Sequence, residues 1–346
     1  MKNLLIVIVA SLLLISCGKN DKPVEKKISD KPDTSGVLNV SKDDAPPSNV
    51  NLVYQLKKDN SYLYRLTSLS TTLQNVISDS TMKNTIKQSI TYVFKMDVNE
   101  VESDNVMDIK INIQSVKLDA TANGQKYKYE SGAKLDSTER LRYVEYEAVL
   151  NNPFSIRLDS KGEILEVYRL DKIVNKFLSI QGVLDSVTAA QKKEFQTNIA
   201  ETAIKPLLQQ IFRILPSKNV GKDSAWSNQY STRLSVFDVT NIAKYKLKDF
   251  AKLEDNRLAI IDAGLEIIAR GKNKVSEQGV NYDFKTPEAT GSGTIYFDLT
   301  KGCVVKAKTT SKLKMSMTMQ MPQSPRGPMK ATRNDYVENT NVLELL

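Results

Sequence analysis

Histidine is absent from all 346 residues. Its absence excludes a His-dependent catalytic triad and a His-based zinc site, since His is the commonest general base and metal ligand. Cysteine occurs twice, as Cys17 and Cys303. Two thiols are too few for a Cys-rich metal site or a disulfide framework. Gly-x-Ser-x-Gly does not occur. Ser-x-x-Lys occurs at 80–83, 131–134 and 311–314, but no Lys-Thr-Gly accompanies it, which argues against penicillin-binding chemistry. Gly291-x-Gly293 lacks the third glycine and the βαβ setting of a dinucleotide site. No pair of carboxylates stands out for acid–base work. The expectation is a protein that is not an enzyme and takes no cofactor.

The first seventeen residues are the most specific stretch present. Lys2 is followed by an apolar run over residues 4–15, then Ser16, Cys17 and the polar Gly18, Lys19, Asn20 and Asp21. A basic start, a short apolar segment and a small residue before the cut predict a secretory signal peptide over residues 1–16. The run is shorter than the roughly 20 apolar residues that span a bilayer. Leu14, Ile15, Ser16 and Cys17 resemble the lipobox of bacterial lipoproteins. That resemblance implies a diacylglycerol on the sulfur of Cys17, cleavage before it and acylation of the new amino terminus. Cys17 is therefore the expected lipid anchor, and the membrane is the expected partner through it. Gly18 is not the Asp that retains enterobacterial lipoproteins at the inner membrane. This favours the outer membrane of the cell envelope and leaves its face open.

Residues 17–50 read as a disordered tether beyond the anchor. From Lys19 onward they hold six lysines, six carboxylates, four prolines and no aromatic residue. Such a segment buries too little apolar surface to offset its ordering entropy. The whole chain carries 49 basic and 40 acidic residues. The tether charges cancel, so the basic excess lies on residues 51–346. Nucleic acid is not an expected partner outside the cytoplasm.

From Leu52 the pattern turns to period two, the signature of strands with one buried face. Ile90, Tyr92, Phe94, Met96 and Val98 alternate with polar residues, as do Met107, Ile109, Ile111 and Ile113. The phase then slips to Val116 and Leu118, which predicts a bulge near Gln114 and Ser115 and hence a curved sheet. Val144, Tyr146 and Ala148 read as a further strand. Residues 154–158 and 164–168 read as a hairpin with Gly162 in its turn.

Residues 171–215 switch to helical spacing. Thr188 and Gln191 form a capping-box pattern, with Phe195, Ile199 and Ala203 on one face of the helix that follows. Leu207, Leu208, Ile211, Phe212 and Leu215 form an apolar stripe ended by Pro216. The stripe reads as a helix packed on a sheet, or as a flap over an apolar cavity. Strand patterns return from 219 to 346. The first and second halves, 51–170 and 219–346, share weak turn similarities such as Ser160-Lys161-Gly162 and Thr300-Lys301-Gly302, so an internal duplication is open.

The longest alternation starts at Cys303. Leu313, Met315, Met317, Met319 and Met321 share one face, and Lys306, Lys308, Lys312 and Lys314 share the other. Three uses of the methionines are open: ordinary core, a wall for varied apolar ligands, or soft metal ligation. The lack of histidine counts against metal, and none is expected. If the wall reading holds, Met315, Met317, Met319, Met321 and Phe212 line the ligand. The lysine stripe reads as a solvated face, or as a contact for anionic lipid heads. The strand is long enough that bending or a break is expected.

The order is lipobox, polar tether, strands, helical insert, the stretch at 221–226, strands with Gly291-x-Gly293 and a closing hairpin. It resembles an uncharacterised family of lipoproteins from Bacteroidetes-type bacteria. A looser resemblance is to periplasmic lipoprotein carriers and mycobacterial lipid-binding lipoproteins, which implies a curved antiparallel sheet with helices in its concave face. The expected fold is α+β and mostly β: a large curved antiparallel sheet with a helical insert at about 171–215 packed on one face. The expected function is an envelope lipoprotein binding an apolar or lipid-like ligand or a lipidated partner. The alternative is a structural lipoprotein with no small-molecule ligand. Oligomeric state is left open.

Overall fold

The computed structural model describes residues 32–321 and 329–346. The expected signal peptide and Cys17 lie outside the described residues. Fourteen strands form one open sheet in which every strand pairing is antiparallel. Its centre is built from β2 (Ser61–Ile77), β3 (Thr81–Val101), β4 (Met107–Ala122), β12 (Val280–Asp298), β13 (Cys303–Met321) and β14 (Met329–Leu345). β14 pairs β2, so the last strand meets the first long one and joins the two halves of the chain into one layer. On one flank β4 forks, pairing β5 (Gln125–Glu130) with one half and β6 (Phe154–Leu158) with the other; β7 (Ile164–Tyr168) follows β6. On the opposite flank β12 pairs β10 (Asn256–Gly271) and the short β11 (Lys274–Glu277). β10 then pairs β9 (Phe237–Leu253), whose outer side takes β8 (Ala225–Leu234) and the two-residue β1 (Ser41–Lys42).

The phase slip in β4 is a bulge at Gln114. Val93 pairs with Ser115 and Phe94 with Ile113, which leaves Gln114 without an opposite residue. The bulge returns Ile109, Ile111, Ile113, Val116 and Leu118 to one face, and all five are buried. Further register shifts occur in the pairings of β9 with β10 and of β12 with β13. Each bends the sheet locally. β13 itself runs unbroken for 19 residues.

The helices lie on one face of this sheet. α3 (Asp171–Ile180) buries Ile173, Val174 and Leu178. α4 (Ala189–Ile199) opens on the expected capping box: the Gln191 N–H donates to Thr188 Oγ1 at 3.3 Å, and the Thr188 N–H donates to Gln191 Oε1 at 2.9 Å. A π-helical turn leads into α5 (Lys205–Leu208). The helix expected through Leu215 ends at Leu208. The Arg213 N–H donates to the Tyr54 hydroxyl at 2.7 Å and the Leu215 N–H to Lys161 O at 2.8 Å, so those donors leave the helical ladder. Ile211, Phe212 and Leu215 are buried all the same.

A second correction concerns residues 137–149. They form two short helices, α1 (Ser137–Arg142) and α2 (Val144–Val149), in place of the strand read at Val144, Tyr146 and Ala148. A six-residue helix can bury alternate residues when it packs on more than one side. The signal that marks the helical start is Asp136-x-x-Glu139, which makes a reciprocal capping box.

Residues 32–50, read from composition as tether, lie along the sheet. Asp33 pairs with Lys306, and the Lys308 ammonium donates to Thr34 O at 3.0 Å. Asp43 is buried against the Arg257 guanidinium. Leu38, Val40 and Val50 also pack against the core, but they are too few and too scattered among polar residues to show a hydrophobic period. The carboxyl of Asp33 is held well below the usual carboxylate range by its hydrogen bond from Lys306.

Candidate functional site: the inner face of the sheet

Strand register shows what each face presents, because antiparallel partners share a face. One row crosses ten strands: Trp226, Tyr245, Ala263, Gly293, Thr309, Asn341, Ser68, Ile90, Leu118 and Tyr129. It has aromatic ends and a middle of small or polar residues. The row beyond it again has small or polar residues at its centre, Gly291, Ser311, Asn339 and Ser70. We call this the inner face, because the helical segments cover it.

Both aromatic ends are capped. Tyr129 packs on Tyr143 and Tyr146, with centroids 4.9 and 5.3 Å away. Trp226 stacks on Tyr245 at 5.6 Å and donates its indole N–H to Ile214 O at 3.0 Å. Between the ends, Gly293 leaves no room for a side chain. A Cβ there would stand 2.3 Å from Lys308 O and 2.8 Å from the Thr309 Cα. The close approach of main chain from β12 and β13 demands glycine at this point.

Among the described residues the helical cover lies at one end. Phe94, Met96, Ile109, Ile111, Phe154, Ile156 and Leu158 pack there against Ile173, Ile204, Leu208 and Phe212. Tyr54 holds Phe212 and Phe297 edge-on, each 5.5 Å away. Toward the other end the same face continues through Leu313 and Val337, then Met315, Met317 and Met319. Phe284 pairs with Met317 and Tyr282 with Met319. All of these are half-buried, and Met321 is exposed. A recess of about 200 Å³ lies between Leu234, Phe237, Phe284, Pro287, Met315 and Met317, bordered by Arg333 and Asp335.

The sequence-derived candidates therefore separate. Met315, Met317, Met319 and Met321 share a face as expected. They are not deep core. Phe212 is buried at the covered end, against Tyr54, whose other neighbour Phe297 pairs with Val304 near the start of β13. Phe212 supports the base of the face and does not stand beside the methionines. Cys303 is 1 % exposed, and burial pushes its thiol up to about 11, so it is chemically quiet.

The opposite face is ionic. Lys244 pairs with Glu266 at 2.6 Å, Lys246 with Asp223 at 2.7 Å and Lys248 with Asp262 at 3.5 Å. Three lysines of the β13 stripe are met by carboxylates, Lys306 by Asp33 and Glu344, Lys312 by Glu338 and Lys314 by Glu288, while Lys308 donates to Thr34 O and Ser35 O.

Sequence reasoning missed the cross-sheet rows and the loop after α5. At the loop's centre the Arg213 Nη2 donates to Gln210 Oε1 at 3.1 Å, and Asn341 Nδ2 donates to the same oxygen at 3.2 Å. A lone arginine between a buried phenylalanine and an isoleucine carries no sequence signal.

A family model described as "Family of unknown function (DUF6263)" matches residues 104–304. No curated protein matches the chain. Among solved structures, lipovitellin, in a structure concerned with its lipid–protein interactions, aligns with 84 % of this chain at 11 % identity and a TM-score of 0.42. The aligned chain spans 25 % of lipovitellin. An outer membrane channel of Pseudomonas putida F1 aligns with 85 % of this chain and 97 % of its own, at 7 % identity and a TM-score of 0.18. OpdL of Pseudomonas aeruginosa aligns with 83 % and 99 %, at 8 % identity and the same score. Likenesses this distant carry no argument about function.

Proposed function

Because the chain belongs to a family of unknown function (DUF6263), its role has to come from its own surfaces, and we propose that it is a non-enzymatic envelope lipoprotein that holds an apolar or lipid-like ligand on the inner face of its sheet. The observation that carries this is the unequal cover of that face. Helical segments close one end into a packed core, while among the described residues no helix covers the same face where it continues, half-buried, through Leu313, Met315, Met317 and Met319. Unbranched thioethers adapt to ligands of varied shape. Half-buried apolar side chains on a sheet face gain roughly 25 cal/mol per Å² when a ligand covers them. Cys17 anchors the protein to the outer membrane. The lipobox pattern supports this part, as does the resemblance to lipoproteins of Bacteroidetes-type bacteria.

The test uses Cys17→Ser, which removes the anchor and leaves every described residue unchanged. Palmitate labelling should disappear and the protein should leave the membrane fraction; persistent labelling refutes the anchor. Native mass spectrometry and solvent extraction of that protein, purified from cells, should recover bound lipid. Bare protein alone would refute the ligand reading and support a structural envelope lipoprotein.

A further inference from the structure

We infer that the ligand is an amphiphile with an anionic head, and that Arg213 receives that head where the covered end of the inner face gives way to the open one. The inference rests on the lipid-ligand reading above and adds the chemistry of the head. Arg213 belongs to the loop that follows α5, and its main chain is fixed there by the Tyr54 hydroxyl. Its side chain reaches Gln210, which in turn receives Asn341 from the central row of the face. Gln210 thus links the guanidinium to the small-residue middle of that row. Its positive charge is felt by Tyr230 and Tyr245, where it opposes the effect of burial on both hydroxyls.

Two features of this arginine call for a partner. Among the described residues no carboxylate pairs with it, whereas Arg333, further along the same face, is satisfied by Asp335 at 2.8 Å. Its Nε is shut off from water and has no acceptor. A buried donor left unpaired is costly. A planar fork of N–H groups matches a carboxylate or phosphate. From Thr309, beside Asn341, to Met315 is six residues, about 20 Å of strand at roughly 3.3 Å per residue. An acyl chain starting at Arg213 covers that distance and ends on the methionines.

The experiment compares three probes that share one chain and differ in the head: oleate, oleyl alcohol and oleylamine. Binding to the Cys17→Ser protein is read by displacement of a fluorescent fatty acid. Oleate should bind more tightly than the alcohol, and oleylamine least. Arg213→Gln retains the main-chain donor to Tyr54. It should weaken oleate about tenfold or more, the usual range for losing a charged hydrogen bond, and leave the alcohol unchanged. Arg213→Lys should restore most of the preference. Inorganic phosphate should not displace oleate; displacement at low concentration would make this a free-anion site and overturn the lipid head. Equal binding of oleate to wild type and Arg213→Gln would overturn the assignment while the lipid reading stands. Failure of all three probes to bind would overturn both.

Discussion

Tyr54 offers the sharpest test of how the covered end is held. Its ring is 2 % exposed and meets Phe212 and Phe297 edge-on. Its hydroxyl accepts the Arg213 N–H at 2.7 Å. Tyr54→Phe keeps the ring and removes that acceptor, which strands a main-chain donor. A loss of about 1–3 kcal/mol follows. Tyr54→Ala removes the ring as well. A buried aromatic cut to alanine costs about 3–5 kcal/mol, and each edge-on contact adds about 0.5–1.5 kcal/mol of geometry-specific attraction. The sum approaches the ~5–15 kcal/mol that holds a typical domain together, so Tyr54→Ala should be largely unfolded or recovered in poor yield. The assay is urea unfolding followed by the fluorescence of Trp226. That residue is a built-in reporter, since its indole bonds to Ile214, the neighbour of Arg213. Tyr54→Phe should lower the midpoint with no change in slope. A loss below about 0.5 kcal/mol, the level of a surface substitution, would refute the claim that Tyr54 pins the loop.

Two further outcomes are expected. Gly293→Ala should destabilise by about 1–3 kcal/mol or more through overpacking, because its Cβ would collide with main chain. Gly264→Ala, whose nearest atom would be 3.7 Å away, should stay within about 0.5 kcal/mol; equal thermal shifts for the two would sink the close-approach argument. Glu145 on α2 is exposed, yet the protein packed around it desolvates its carboxyl enough to raise it above the ordinary range. The folded state then holds its proton more tightly than the unfolded state, so stability declines as pH rises from below the ordinary glutamate pKa through the raised one. Glu145→Gln should therefore raise the melting temperature at pH 7 more than at pH 4. A gain that is the same at both would show that the charge is not what costs stability.

Much of the sheet was legible because its physics is local. Alternation along β3, β4 and β13 marks one buried face, and the phase slip at Gln114 marks a bulge, since a single extra residue is enough to exchange the faces. Thr188 and Gln191 announce a helix start because both partners of the cap lie within four residues. Gly162 marks a turn, and its φ of +91° supplies the reason. The misreadings have an equally physical origin. Val144, Tyr146 and Ala148 alternate because α2 is too short to show a helical period. The stripe through Leu215 keeps helical spacing, but its donors are taken by Tyr54 and Lys161, which are distant in the chain.

By itself the sequence determined the β-rich architecture, the lack of histidine chemistry and the methionines' common face, since composition and period are properties of neighbours. Only the tertiary structure decided that Trp226 and Tyr129 end one ten-strand row, that Phe212 and the methionines stand apart, and that Gln210 joins Arg213 to Asn341. Those relations join residues separated by many tens of positions. They follow from strand order, from bulges and from where the helices stop, and no local pattern encodes them.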